Sequence, residues 1–188
     1  MIQSEYLSDL RHKAREIRND AQKSFYFLEA EELRRRPAPN KWSIIEVFAH
    51  INIVQAFYIK NISRALDKAP DYEGDETKLS WLGKKFINGM TPQDGIIKWK
   101  MKTFKKVDPI ARAKKGITLN ENIVFKDFIN DIEELEELII KAYDKDLTAV
   151  KVPTFVPILK LNIADALGFC LAHTERHVLQ ARNILGED

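Results

Sequence analysis

His173 and His177 lie four residues apart in LGFCLAHTERHVLQARNIL, residues 167–185. Nitrogens at that spacing could share a transition-metal ion, because imidazole is a standard ligand for zinc, nickel, copper and iron. At about 100° per residue, the two rings stand ~40° apart on one helical face. The same face carries Ile163, Ala166, Cys170, Ala181 and Ile184, so the histidines point toward a core with room for both rings. Buried imidazole nitrogens without partners are costly, and two protonated rings would repel each other. A shared ion relieves both problems. Spacing alone still favours two structural histidines, and a third donor shifts the balance. His50 is flanked at helical spacing by Val47, Ile53 and Val54, whereas His12 lies between Arg11 and Lys13 and reads as a surface residue. His50, His173 and His177 are therefore the candidate metal ligands. Three histidines leave an open position, as catalytic sites do, whereas structural zinc is normally four-coordinate with cysteines.

The pattern is not a zincin protease. HTERH places Glu175 in the middle of the motif, about 160–200° from the histidine face, and position four is Arg176. Gln180 follows His177 on the same face and could hydrogen-bond a ligand histidine or water. Glu46 stands one turn before His50, but helix capping already explains it. Cys170 shares the histidine face and reads as a small buried hydrophobe before it reads as a ligand. Trp42, Trp81 and Trp99 could line a pocket, with Trp42 better explained by a hydrophobic staple.

Four amphipathic segments must position these groups. The first carries Leu7, Leu10, Ala14, Ile17, Ala21, Phe25 and Leu28 at steps of three and four. The second runs from about Ser43 to Asp67, with a Ser43/Glu46 capping box, a Trp42/Val47 staple and a stripe of Ile44, Val47, Ile51, Val54 and Tyr58. The third runs from about Leu119 to Tyr143. Thr118 and Glu121 offer a capping box there, and Phe125, Phe128, Ile132, Leu135, Ile139 and Ala142 form its stripe. Glu133, Glu134, Glu136 and Glu137 interleave with that stripe and read as a solvated face. The fourth runs from about Asn162, its N-cap, to Leu185, with Gly186 just beyond; KVPTFVPILK before it reads as an extended connection. The expectation is an all-α, four-helix bundle forming a single domain over 1–188, with a long irregular insertion between helices 2 and 3, about 69–117.

That insertion holds five of the seven glycines and three of the seven prolines, which is why it reads as irregular. In IIKWKM, Ile97, Trp99 and Met101 alternate with lysines, a period-two pattern that predicts extended structure. Residues 80–116 carry ten Lys or Arg against two Asp, about +8 in a chain whose net charge is +2. Two readings stand level: a solubilising loop, or a cover over a site that attracts an anionic ligand.

A net charge of +2 argues against a dedicated nucleic-acid binder. A lone cysteine excludes an internal disulfide and suggests a reducing, cytoplasmic setting. The N-terminal stretch is polar, without the apolar region of a signal peptide, and no run of 18 apolar residues suggests a membrane span. A homodimer is compatible with such a bundle.

KWSIIEVFAHI, with histidine eight residues after tryptophan, and AHTERHVLQARNIL, with H-x-x-x-H followed by glutamine, resemble the DinB-like (YfiT-like) superfamily of metal-dependent four-helix bundles. The resemblance spans essentially the whole chain in helix order, the long basic insertion being the departure. It implies a three-histidine metal site, here His50, His173 and His177. It also implies, more loosely, a thiol transferase using a low-molecular-weight thiol such as bacillithiol or mycothiol; other relatives are isomerases or dehalogenase-like. The function expected is a metal-dependent enzyme acting on a small molecule as a thiol S-transferase or hydrolase, with zinc or nickel as the ion. A divalent ion on neutral histidines lowers the pKa of bound water toward ~7 or holds a thiolate. The alternative is a non-catalytic bundle with a structural or vacant metal site, acting as a binding or stress-response protein.

Overall fold

The structure is a computed structural model and describes residues 1–97 and 103–186. Helices α1 (Gln3–Phe25), α2 (Ala30–Arg34), α3 (Ile44–Leu66), α4 (Trp81–Met90), α5 (Pro109–Ala113) and α6 (Glu121–Lys141) precede strands β1 (Lys151–Pro153) and β2 (Lys160–Asn162), and α7 (Ile163–Leu185) ends the chain. The four long helices form the bundle in the cyclic order α1, α6, α3, α7, so α3 and α7 are neighbours along their length. That adjacency lets a histidine of α3 face two of α7.

The apolar stripes account for the packing. Leu7, Leu10, Ala14, Ile17, Ala21 and Phe25 of α1 are all buried, as are Phe128, Ile132, Leu135, Ile139 and Ala142 in and just after α6. Each large side chain fully buried this way contributes roughly 1.5–3 kcal/mol. Leu28 packs on the same core from beyond the end of α1. Helix α3 is contacted by α2, α5, α6, α7 and β1, so its first turns are buried on every side and carry His50 inside with them. Its start is the Ser43/Glu46 capping box, where the Ser43 N–H donates to Glu46 Oε2 at 2.9 Å. Asn162 and Asp165 form the equivalent box at the start of α7, and Gly186 closes that helix at φ 79°, a left-handed conformation that glycine adopts without steric cost.

Three expectations need correction. The 69–117 insertion is not irregular throughout, because α4 docks on α7 and α5 on α3. Glycine here marks close packing as well as turns: a Cβ at Gly83 would stand 2.0 Å from Asp165 Oδ1. The Thr118/Glu121 box does not form; Asn120 is the N-cap and accepts from the Ile123 N–H at 3.1 Å, which starts α6 later. Glu136 is buried, because Arg15 and Arg18 of α1 meet it at 3.0 and 3.1 Å. The connection before α7 is extended but also paired, β1 with β2 antiparallel in the register Val152↔Leu161. Most of IIKWKM, including Trp99 and Met101, lies outside the described residues. Among the described residues, no helix is long and apolar enough to cross a membrane.

Candidate metal centre

The capping box fixes where α3 begins, and His50 follows at the seventh helical position, 4% exposed. His173 and His177, 7% and 8% exposed, face it from around the middle of α7. Ring centroids lie 5.2 Å (His50–His173), 4.7 Å (His50–His177) and 4.5 Å (His173–His177) apart. One ligand atom from each ring can be chosen so that all three lie within 4.8 Å of one another, a group that could hold a metal ion.

Hydrogen bonds decide which nitrogens face the centre. His50 Nδ1 is 2.8 Å from the Val107 carbonyl oxygen. A carbonyl only accepts, so Nδ1 carries the proton and Nε2 offers a lone pair. His177 Nδ1 likewise donates to Gln180 Oε1 at 2.9 Å, leaving its Nε2 as a donor atom for a ligand. His50 Nε2 and His173 Nε2 are 3.3 Å apart. Zinc–nitrogen bonds of about 2.0–2.1 Å place tetrahedral donor pairs roughly 3.3 Å apart, so this separation suits a common ion. His173 Nδ1 is buried without a hydrogen-bond partner.

Burial also keeps the rings neutral. Loss of solvent pulls His50 below the usual histidine range, and it pulls His173 and His177 well below, with the neighbouring rings and Arg176 adding to the effect. Neutral imidazole is the metal-binding form.

The cluster forms part of the lining of a cavity of about 670 Å³. Trp42 lies against His50 at a centroid distance of 4.9 Å and against His177 at 6.1 Å. Its indole N–H donates to Asp108 Oδ1 at 3.2 Å, and Asp108 also caps α5 through the Ile110 N–H. Tyr58, Phe86, Phe155 and Phe169 continue the aromatic wall, and Lys41, Lys105 and Arg176 bring positive charge to it. The insertion is thus part of the site: Phe86, Met90 and residues 103–105, 107 and 108 line the cavity.

Residues 14–181 match the family model of the DinB superfamily. The chain belongs to that superfamily. No curated protein and no solved structure matches it. In this DinB-superfamily chain the structure brings together His50, His173, His177 and Gln180, and it leaves the other candidates outside the cluster. His12 is exposed and paired with Glu16 at 3.2 Å. Glu175 points away and pairs with Lys13 at 2.7 Å. Burial in the core pushes the Cys170 thiol up to about 12. Burial alone would raise Glu46, but hydrogen bonds from Arg36 and Ser43 outweigh it and hold the carboxyl low, so its role is structural. Trp81 is exposed beneath Lys85. Trp42, read from sequence as a staple, is a wall of the site.

Val107, Asp108 and Arg176 were missed. Asp-Pro at 108–109 is a helix-start signal, an N-cap followed by proline at the first helical position, and could have located α5. Nothing in residue type announces the carbonyl of Val107.

Proposed function

We propose that this protein is a metal-dependent enzyme that transforms a small organic molecule, as a thiol S-transferase or a hydrolase, with a divalent transition metal, zinc or nickel, held by His50, His173 and His177. The observation supporting this is the pair of Nδ1 hydrogen bonds, to Val107 and Gln180, which turn lone pairs of His50 and His177 toward the third ring. When bound, such an ion would supply Lewis acidity, bringing the pKa of bound water down toward ~7 or holding a thiol as its thiolate. Three donors leave coordination positions for the substrate.

The chain's own groups set the conditions for that chemistry. Val107 and Gln180 hold the orientation and tautomer of two histidines. Asp108 fixes the indole of Trp42 against them. The aromatic wall limits water around the centre, which strengthens every charge interaction inside. Neither Cys170, buried and protonated, nor Glu175, on the outer face, is placed to act on a substrate.

The reading is tested by elemental analysis of protein purified without a histidine tag. About one transition-metal ion per chain is expected, and His50→Ala should lose it. Wild-type protein that takes up no zinc or nickel even when supplied would overturn the proposal. Turnover of a small thiol with an alkylating electrophile, or of an activated ester, by loaded protein but not by His173→Ala then separates transferase from hydrolase.

A further inference from the structure

Among the described residues, the cavity wall beside the histidines is mainly apolar and aromatic, yet its charged members are unevenly distributed. Lys41, Lys105 and Arg176 are cationic, and Asp108 is the acid. Asp108 is engaged by the Trp42 indole and the Ile110 N–H. The two lysines are exposed at the mouth, whereas Arg176 is half-buried. Arg176 also stands one residue before His177 and three after His173, with Gln180 one turn farther along the cavity side of α7. Guanidinium is the side chain best suited to planar, two-point recognition of a carboxylate, and its partial desolvation strengthens such a contact. A volume near 670 Å³ suits a drug-sized molecule rather than an inorganic ion.

We infer that the cavity binds an organic anion, an aromatic or otherwise apolar body carrying one carboxylate-type group, with that group at Arg176 and the body between Trp42, Phe155 and Phe169. The lysines at the mouth raise the local concentration of such anions, and Arg176 orients the bound one. Lys106, whose ammonium lies 4.9 Å from the centre of the Phe155 ring, adds to the positive field at the same rim. This deepens the proposed function and rests on it for the statement that the bound molecule lies where the reaction occurs.

The test compares 1-naphthylacetate with its neutral isostere 1-naphthylacetamide, titrated calorimetrically into the full-length, chelator-treated protein, so that no metal contributes to the preference. The carboxylate should bind about tenfold tighter or more, the size of one charge-assisted contact. Arg176→Gln should reduce carboxylate affinity by about tenfold and leave the amide within about twofold, and Arg176→Lys should keep part of the preference. A circular dichroism melt of each variant monitors folding. Equal affinities for the two probes, no binding of either, or equal weakening of both by Arg176→Gln would overturn the inference. Metal content is measured separately. A full complement of ion without anion preference removes only this inference, and anion preference in a protein that takes up no ion removes only the metal.

Discussion

Helix α7 carries two buried polar clusters, one at its start and one around its middle, and they are built on opposite terms. At the start, Asp165 is fully buried and fully matched. It accepts from the Ser80 N–H at 2.9 Å, the Ser80 hydroxyl at 2.7 Å and the Asn162 N–H at 3.3 Å, while its own N–H donates to Asn162 Oδ1 at 2.6 Å. Two turns later, His173 is also buried but leaves Nδ1 without a partner, and its Nε2 faces another histidine nitrogen at 3.3 Å. The first cluster is satisfied by the protein alone and joins α4 to α7. The second is incomplete by itself, as a group assembled to receive a ligand would be. Burial of polar atoms therefore does not distinguish structure from function here, and neither does a missing partner alone, since Gln55 and Thr77 also keep buried polar atoms unpartnered; convergence of three imidazoles around the unmatched one does.

The largest break in that comparison should come from Asp165→Ala, which strands the Ser80 and Asn162 donors and detaches α4 from α7. A loss of about 3 kcal/mol is expected in urea unfolding of metal-free protein, since donors left orphaned in a buried site cost more than the bonds contributed. Gly83→Ala probes the same junction sterically. Alanine's better helix propensity is worth up to about 1 kcal/mol, but the added carbon would meet Asp165 Oδ1 at 2.0 Å, and overpacking costs about 1–3 kcal/mol. Overpacking wins, and a net loss of about 1–2 kcal/mol should appear in the same assay.

Asp131 gives a third case, a carboxyl in an unfavourable place. Burial first, then the charges of Asp127 and Glu134, push it up to about 7. Its ionised form is therefore disfavoured in the fold. Below about pH 3.8 it is neutral in both folded and unfolded chains and costs nothing; the cost grows as pH rises toward 7 and is constant above. Asp131→Asn should stabilise the protein relative to wild type by about 1 kcal/mol at pH 8, after allowance for solvent screening, and by nearly nothing at pH 4. A pH-independent difference in unfolding free energy would contradict this account.

The smallest stability change is expected at the metal centre. His173→Leu removes an unpartnered nitrogen and one long contact to His50 Nε2, at 3.3 Å, and retains apolar volume, so metal-free stability should stay within about 1 kcal/mol of wild type. Metal uptake should fall by far more than that. A large loss of stability without metal would mean that His173 is a structural residue matched like Asp165.

Much of this was legible in the chain. The stripes, the Ser43/Glu46 box, the Asn162 cap and the final glycine are signals within one or two turns, and they placed α3 and α7 to within a residue. Inward projection of His50, His173 and His177 followed from the same periodicity, and Gln180 from its position one turn beyond. The insertion was harder to read, because Gly83 sits where the helix must approach Asp165 closely and so looked like a loop residue. Trp42 was misjudged because its neighbours in sequence suggested a staple, whereas its contacts in the site lie 8, 66 and 135 residues away.

The sequence by itself determined the four long helices, the caps of α3 and α7 and which histidines turn inward, because those are properties of neighbours three and four positions apart. Tertiary structure alone decided that Val107, 57 residues beyond His50, would supply the carbonyl that fixes its tautomer, and that Asp108 would hold Trp42 against the site. A backbone carbonyl has no residue-type signature, and a contact across a crossover depends on how the insertion folds back over the bundle.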